Sequence, residues 1–364
     1  MKKEAKFTVL LLAILFFGVS VVCWFQPAAE YSVTERRKLE QFPKLTLKRV
    51  AEGTFMADFE DYALDQFPLR DGFRSLKAWV TRIIFRKCDN NGIYVEDGYA
   101  VKMEYPLKEE SLAYAGQRFR NIYEKYLKDS GSDIYLSMIP DKNYFLAEQS
   151  GHLAMDYDRL YEIMQEEMPY AEYIDITGLL EIEDYYKTDV HWRQENIVDI
   201  AEEIGNAMGI TLKEGYETKT LDEDFYGVYF GQSALNLPGE KLCCLTNETL
   251  EQCSVYNYEN DQILGIYDLE KATGDDPYEI FLSGPVSLLK IENPQAETDR
   301  ELIVFRDSFG SSLVPLLAEG YKTITLVDIR YIRSDFLVNF VDFADKDVLF
   351  LYSTVVLTNS ETLK

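Results

Sequence analysis

Histidine is nearly absent from this chain: His152 and His191 are the only two in 364 residues. Chemistry that needs an imidazole base therefore has two places to go. Cysteine is sparse as well. Cys23 lies in an apolar N-terminal run, which leaves Cys88, Cys243, Cys244 and Cys253. No pair has a CxxC spacing, so a metal site is not expected, and no motif calls for any other cofactor. In oxidising surroundings Cys253 can bridge to Cys243 or Cys244 and staple one loop, but these few residues are no disulfide framework. Basic residues are outnumbered, 37 against 63 acidic, for a net charge of −26. Such a surface repels phosphate backbones and argues against a nucleic-acid partner. Its plain meaning is solubility. Internal repeats and low-complexity segments are missing too.

What is present begins with an apolar run from Phe7 to Phe25, long enough to cross a bilayer. Lys2, Lys3 and Lys6 precede it and no basic residue follows closely, so the remaining chain is expected outside the cell. A cleaved signal peptide is the alternative. Pro27 spoils the cleavage pattern at Ala28-Ala29, and the residues before Cys23 are not those of a lipoprotein site, so an uncleaved single-pass anchor is preferred.

After this anchor, 1–25, residues 26–88 read as a tether with Pro27 and Pro43, then two amphipathic helices marked by Phe55, Phe59 and Tyr62 and by Phe73, Leu76, Val80 and Ile84. Residues 89–364 read as one large domain. Glu96-Asp97-Gly98 predicts a hairpin turn between Ile93–Val95 and Ala100–Met103. Apolar strands follow at 134–139, 173–176, 302–305, 323–327 and 348–352, alternating with helical periodicity around 112–126, 160–168, 197–204, 312–318 and 335–343. Short continuous apolar strands between helices mean a parallel sheet covered on both faces, an α/β/α sandwich. The segment 213–294 breaks the rhythm with Gly227, Gly231, Gly239 and Gly274-Asp275-Asp276-Pro277, and reads as an insertion of β structure and loops.

Two short stretches could carry chemistry. Ser308, in Asp307-Ser308-Phe309, follows a strand and precedes a helix, where parallel sheets gather their sites. A serine there can be exposed, with backbone N–H groups near an oxyanion; equally, Asp307 or Ser308 can simply cap the helix. His191, in Asp189-Val190-His191-Trp192, can serve as a base with Asp189 fixing its tautomer; equally, Asp189 can cap the helix that follows. Ser311 and Ser312 are rival nucleophiles one turn into their helix. Trp192 either walls a pocket or packs under the loop. Lys142, just past a strand, can touch substrate or orient a loop, and Arg330 can bind a sugar or anion or pair with Asp328. His152 has no adjacent carboxylate and is read as structural. The 26 tyrosines are read mostly as core, with sugar platforms as the alternative.

Several of these pieces occur in an order that resembles the DHHW family of bacterial membrane-anchored proteins. More distantly, they are similar to the SGNH-like domain of alginate O-acetyltransferases. The shared features are Glu35-Arg36-Arg37-Lys38-Leu39, Asp65-Gln66-Phe67-Pro68-Leu69-Arg70, Asn91-Gly92-Ile93-Tyr94, Pro140-Asp141-Lys142, Tyr186 to Trp192, Phe305-Arg306-Asp307-Ser308-Phe309 and Asp328-Ile329-Arg330-Tyr331. Val190 stands where the signature has its first histidine, and Arg306 where SGNH hydrolases have the glycine of Gly-Asp-Ser. The resemblance implies an SGNH-hydrolase-like fold with Ser308 as nucleophile, His191 as base and Asp189 behind it. It implies an O-acetyltransferase acting on a cell-surface or secreted polysaccharide, with a multi-pass membrane acyltransferase as acetyl donor. Gly231 is the position it suggests for an oxyanion donor. A carbohydrate acetylesterase and a non-catalytic polysaccharide-binding or assembly protein are the other readings.

Overall fold

The computed structural model describes residues 3–212 and 215–364. Met1 and Lys2 of the basic flank, and Lys213 at the expected start of the insertion, lie outside the described residues. The chain divides into two compact units, one of residues 1–91 with 230–236, the other of 92–229 with 237–364.

The first unit opens with α1 (Lys3–Phe25), which from Glu4 to Phe25 is long and apolar enough to cross a membrane and has none of that span buried within the chain. A short pair follows, β1 (Tyr31–Ser32) with β2 (Arg37–Lys38), then α2 (Leu47–Ala51), α3 (Thr54–Asp65) and α4 (Arg70–Trp79), the last extended by one wider turn to Ile84. Ion pairs hold this unit. Arg37 forks onto Asp65 at 2.8 and 2.5 Å, and Glu35 takes Arg70 at 2.5 Å and Arg74 at 3.0 Å. Both expected helices exist, but Phe73 and Leu76 are half-exposed, because α4 turns its arginines inward to Glu35.

In the second unit, β3 (Ile93–Glu96) and β4 (Tyr99–Lys102) form the expected hairpin. Asp97 and Gly98 take φ of 47° and 86° at its turn, a left-handed pair that matches strand twist and that Asp-Gly tolerates. Then come α5 (Glu109–Ile122), β5 (Ile134–Ile139), α6 (Lys142–Ser150), α7 (Tyr157–Glu167), β6 (Glu172–Tyr173) and α8 (Val198–Ala207). The antiparallel pair β7 (Glu217–Phe225) and β8 (Glu240–Thr246) flanks α9 (Val228–Ser233), which begins in this unit. The chain continues through α10 (Glu248–Gln252), β9 (Ser254–Asn257), β10 (Gln262–Leu264), β11 (Leu288–Glu292), β12 (Glu301–Arg306), α11 (Gly310–Leu317), β13 (Thr323–Val327), β14 (Asp347–Ser353) and α12 (Thr354–Leu357).

One eight-stranded sheet organises this unit, in the order β10-β9-β11-β13-β12-β14-β5-β6. From β13 to β6 all neighbours are parallel; β11, β9 and β10 extend the other edge antiparallel. Alternate residues separate to the two faces, as period-two strands require. Leu302, Val304, Leu349 and Leu351 pack with α8 and α11 on one face. Ile303, Phe305, Val348, Phe350 and Tyr352 pack with α5 and α7 on the other. Each such side chain, fully buried, contributes about 1.5–3 kcal/mol. The result is the SGNH-hydrolase-like three-layer α/β/α sandwich, with a mostly parallel sheet. The three antiparallel strands come from the segment read as an insertion. The five cysteines are free. Cys243 and Cys244 are adjacent on β8 and buried, and Cys253 is buried just after α10; the bridge that Cys253 could make to either is not formed, and these thiols act as small apolar side chains.

Candidate active site

The carboxyl ends of β12, β14 and β5 are tied together by two buried acids. Asp307 accepts from Ser353 N–H at 2.7 Å, from Ser353 Oγ at 2.6 Å, and from Phe309 N–H at 3.0 Å. Asp141, after β5, accepts from Thr354 Oγ1 at 2.9 Å and from Tyr157 Oη at 3.0 Å; burial pushes its carboxyl up to about 6. Asp307 thus fixes the sharp turn from β12 into α11. Ser308 stands half-exposed at that turn while its neighbours are buried. Its hydroxyl does not cap the helix; it meets His191 Nε2 at 2.8 Å.

His191 arrives on a tight loop. Tyr185 and Trp192 pair as an antiparallel bridge, and Tyr186 N–H donates to His191 O at 3.0 Å. Within the loop, Asp189 Oδ1 lies 2.6 Å from His191 Nδ1 and accepts from His191 N–H at 3.1 Å, while Oδ2 accepts from Val228 N–H at 2.8 Å. Asp189 is fully buried and faces the imidazole, so it is not the cap of the next helix. A carboxylate on Nδ1 keeps the ring proton there and leaves Nε2 to accept from the Ser308 hydroxyl.

The loop is gripped from several directions. Glu240 accepts from Lys187 N–H at 2.9 Å, Thr188 N–H at 2.8 Å and Thr188 Oγ1 at 3.0 Å. Gly227 presses so close that a Cβ there would lie 2.2 Å from Asp189 Cβ and 2.3 Å from its Cα. The His191 ring is stacked on Tyr278 at 3.9 Å and 4° and tilted against Phe309 at 5.0 Å. Tyr278 Oη bonds Ser312 Oγ at 2.8 Å, and burial drives its phenol well above the ordinary range, so it stays neutral. These rings pack against the imidazole, whose Nε2 faces Ser308.

The remaining expected residues have separate placements. Trp192 is fully buried, donating to Phe309 O at 3.1 Å and Ser312 Oγ at 2.8 Å; it ties the His191 loop to α11 and offers no face to a substrate. Lys142 is 2% exposed and points inward, donating to Tyr186 O at 2.8 Å and Lys187 O at 3.2 Å. It supports the loop rather than touching substrate. Burial brings its ammonium down to about 7 against the charges of Asp189, Glu240 and Asp141. Arg330 is held in a fork on Asp328 at 2.9 and 2.7 Å and remains half-buried after β13. Gly231 belongs to the first unit, where a Cβ would overlap Thr34 O and its carbonyl accepts from Arg74 at 2.9 Å. Its smallness serves that close backbone approach. Ser311 and Ser312 are buried in hydrogen bonds with Arg306 and Trp192. His152 stacks on Tyr94 at 3.7 Å. Sequence reading missed Tyr278, Glu240 and Val228, which no local motif marks.

The chain shares its fold with a solved DHHW family protein. That structure, from Eubacterium siraeum, aligns with a TM-score of 0.60 at 20% identity, covering 75% of this chain and 95% of that one. Bacillus cereus PatB1 with a sulfonyl adduct aligns at 0.57 and 18% identity, covering 73% and 94%. The O-acetyltransferase domain of Pseudomonas putida AlgJ aligns at 0.44 and 10%, covering 73% and 92%. No family model matches the sequence, and no curated protein sequence is significantly similar to it.

Proposed function

We propose that this chain is an O-acetyltransferase that works on polysaccharide outside the cell, held to the membrane by α1. The observation that carries the reading is the unbroken hydrogen-bonded run from Ser308 Oγ through His191 to Asp189, at 2.8 and 2.6 Å. Ser308 Oγ attacks the carbonyl carbon of an acetyl ester as His191 Nε2 takes its proton. The Ser308 N–H, at the turn into α11, stabilises the oxyanion. The tetrahedral species collapses, the leaving oxygen takes the proton back from Nε2, and acetyl-Ser308 remains. A sugar hydroxyl then gives its proton to Nε2 and attacks the acetyl carbon; the Oγ–acetyl bond breaks, and Nε2 returns the proton to Ser308 Oγ. Water in place of the sugar makes the same site a carbohydrate acetylesterase. Arg330, beyond the end of β13, is the cation proposed to meet the incoming chain. A multi-pass membrane acyltransferase is the donor this reading calls for. The sulfonyl adduct of PatB1 supports a nucleophile in this fold.

The test is turnover of a chromogenic acetyl ester by the full chain in detergent, with and without acceptor oligosaccharide, beside Ser308→Ala. We expect the variant to lose about 10³-fold or more in kcat, as removal of a triad nucleophile does. A sulfonyl fluoride should label the wild-type chain and not the variant. Acetylated oligosaccharide marks a transferase, acetate alone an esterase. Equal turnover by the two proteins would overturn the serine mechanism.

A further inference from the structure

Helix α4 is inverted with respect to the usual amphipathic rule. A surface helix normally buries its apolar stripe and shows its charges. Here Arg70, Arg74 and Ala78, spaced by four, form the least exposed side, with Arg70 and Arg74 paired to Glu35. Phe73, Leu76 and Trp79, spaced by three, are 50, 54 and 54% exposed. Just beyond, Ile83, Ile84 and Phe85 are also more than half exposed. From Arg70 to Lys87 the chain carries six basic residues against a single acidic one, within a molecule of net charge −26. Arg82, Arg86 and Lys87 are exposed and form no ion pair among the described residues.

We infer that residues 73–87 lie flat in the headgroup region of a lipid bilayer, with Phe73, Leu76, Trp79, Ile83 and Phe85 entering the acyl boundary and Arg82, Arg86 and Lys87 meeting anionic phosphates. An aromatic-apolar stripe flanked by free cations is the composition of interfacial helices. Charge complementarity selects lipid phosphate, since a basic patch on an acidic molecule favours turning that side toward an anionic surface. Tryptophan suits the boundary because its ring is apolar and its N–H polar. The transmembrane-length α1 in the same unit supplies the bilayer, so the inference rests on the anchor reading above.

Tryptophan fluorescence of the full chain in vesicles tests this. The three tryptophans are Trp24, Trp79 and Trp192, the last fully buried. Trp24→Phe leaves Trp79 as the responsive reporter, and Trp24→Phe with Trp79→Phe gives the baseline. In phosphatidylcholine vesicles containing phosphatidylglycerol, a lipid brominated near its headgroup should reduce the Trp79 signal about twofold and shield it from aqueous iodide. Arg82→Glu, Arg86→Glu and Lys87→Glu together should restore iodide access. Chain that floats with the vesicles while Trp79 stays open to iodide overturns the interfacial helix and leaves the anchor standing. Chain that does not float overturns both. Trp79 shielded in native membranes but open in lipid vesicles overturns the lipid assignment in favour of a protein partner.

Discussion

Asp189 accepts from three nitrogens at once: His191 Nδ1, His191 N and Val228 N. An amide in its place can accept at one atom only, and its NH₂ group would meet a donor or turn the imidazole to the other tautomer. Asp189→Asn is therefore expected to lower kcat about 10³–10⁴-fold with a small change in KM, read from steady-state kinetics on the acetyl ester. A rise in KM with kcat unchanged would mean that Asp189 shapes binding and not proton transfer. Lys142 makes a different prediction. Its ammonium is brought from an ordinary 10.5 down to about 7 by burial. Between those two values the unfolded chain holds the proton and the folded chain releases it, so this residue makes stability rise with pH from about 7 to 10.5. Below 7 both states are charged and the dependence ends. Lys142→Met removes the proton, and the difference between wild-type and variant unfolding free energies should change by up to about 1.4 kcal/mol per pH unit across that window. Denaturant titrations from about pH 7 to 10 decide it, and parallel curves would refute the buried, titrating lysine.

At the scale of elements, the site is a junction between a strand-to-helix turn and a loop held by distant segments. Gly227 is where the β7–α9 connection touches Asp189, and its absent Cβ is the clearance. Gly227→Ala should push Asp189 off His191, costing about 1–3 kcal/mol of stability as overpacking does, and more than tenfold in kcat. Thermal unfolding and kinetics on one preparation measure both; an active, fully stable variant would show the loop to be loose. The same junction explains what the sequence revealed and what it hid. β5, β12, β13 and β14 were legible because strands buried on both faces are continuous apolar runs. The Asp97-Gly98 turn was legible because few residue pairs accept two positive φ values. Ser308 and His191 stood out because histidine is so rare here. β9 and β11 were hidden, since strands that join an edge antiparallel owe their register to tertiary neighbours. Tyr278 and Glu240 reach the His191 loop only after the chain folds back. Lys142 and Trp192 sit where the sequence puts them, beside the site, but spacing along a chain does not tell which way a side chain points. Both turned inward.

On the scale of the whole molecule, charge is distributed against the trend of the sum. The chain is acidic in sum, while Arg70–Lys87 is one of its net basic stretches, so two electrostatic effects of opposite sign coexist. Self-repulsion among 63 carboxylates opposes the compact state and reaches across the molecule. Exposed ion pairs oppose unfolding, but each is worth about 0–1 kcal/mol, and salt screens them as well. We expect the summed repulsion to outweigh these pairs, because 63 acidic residues face only 37 basic ones. Raising sodium chloride from low ionic strength toward about 0.15 M, where the screening length is about 8 Å, should therefore raise the melting temperature by a few degrees. The same salt should weaken the contact of residues 73–87 with anionic vesicles, seen as returning iodide access to Trp79. Stability rising while the membrane contact weakens is the signature of a basic patch on an acidic body. A melting temperature that falls with salt would instead mean that ion pairs such as Arg37–Asp65 and Arg74–Glu35 dominate the fold, and that the acidic excess is too well hydrated to matter.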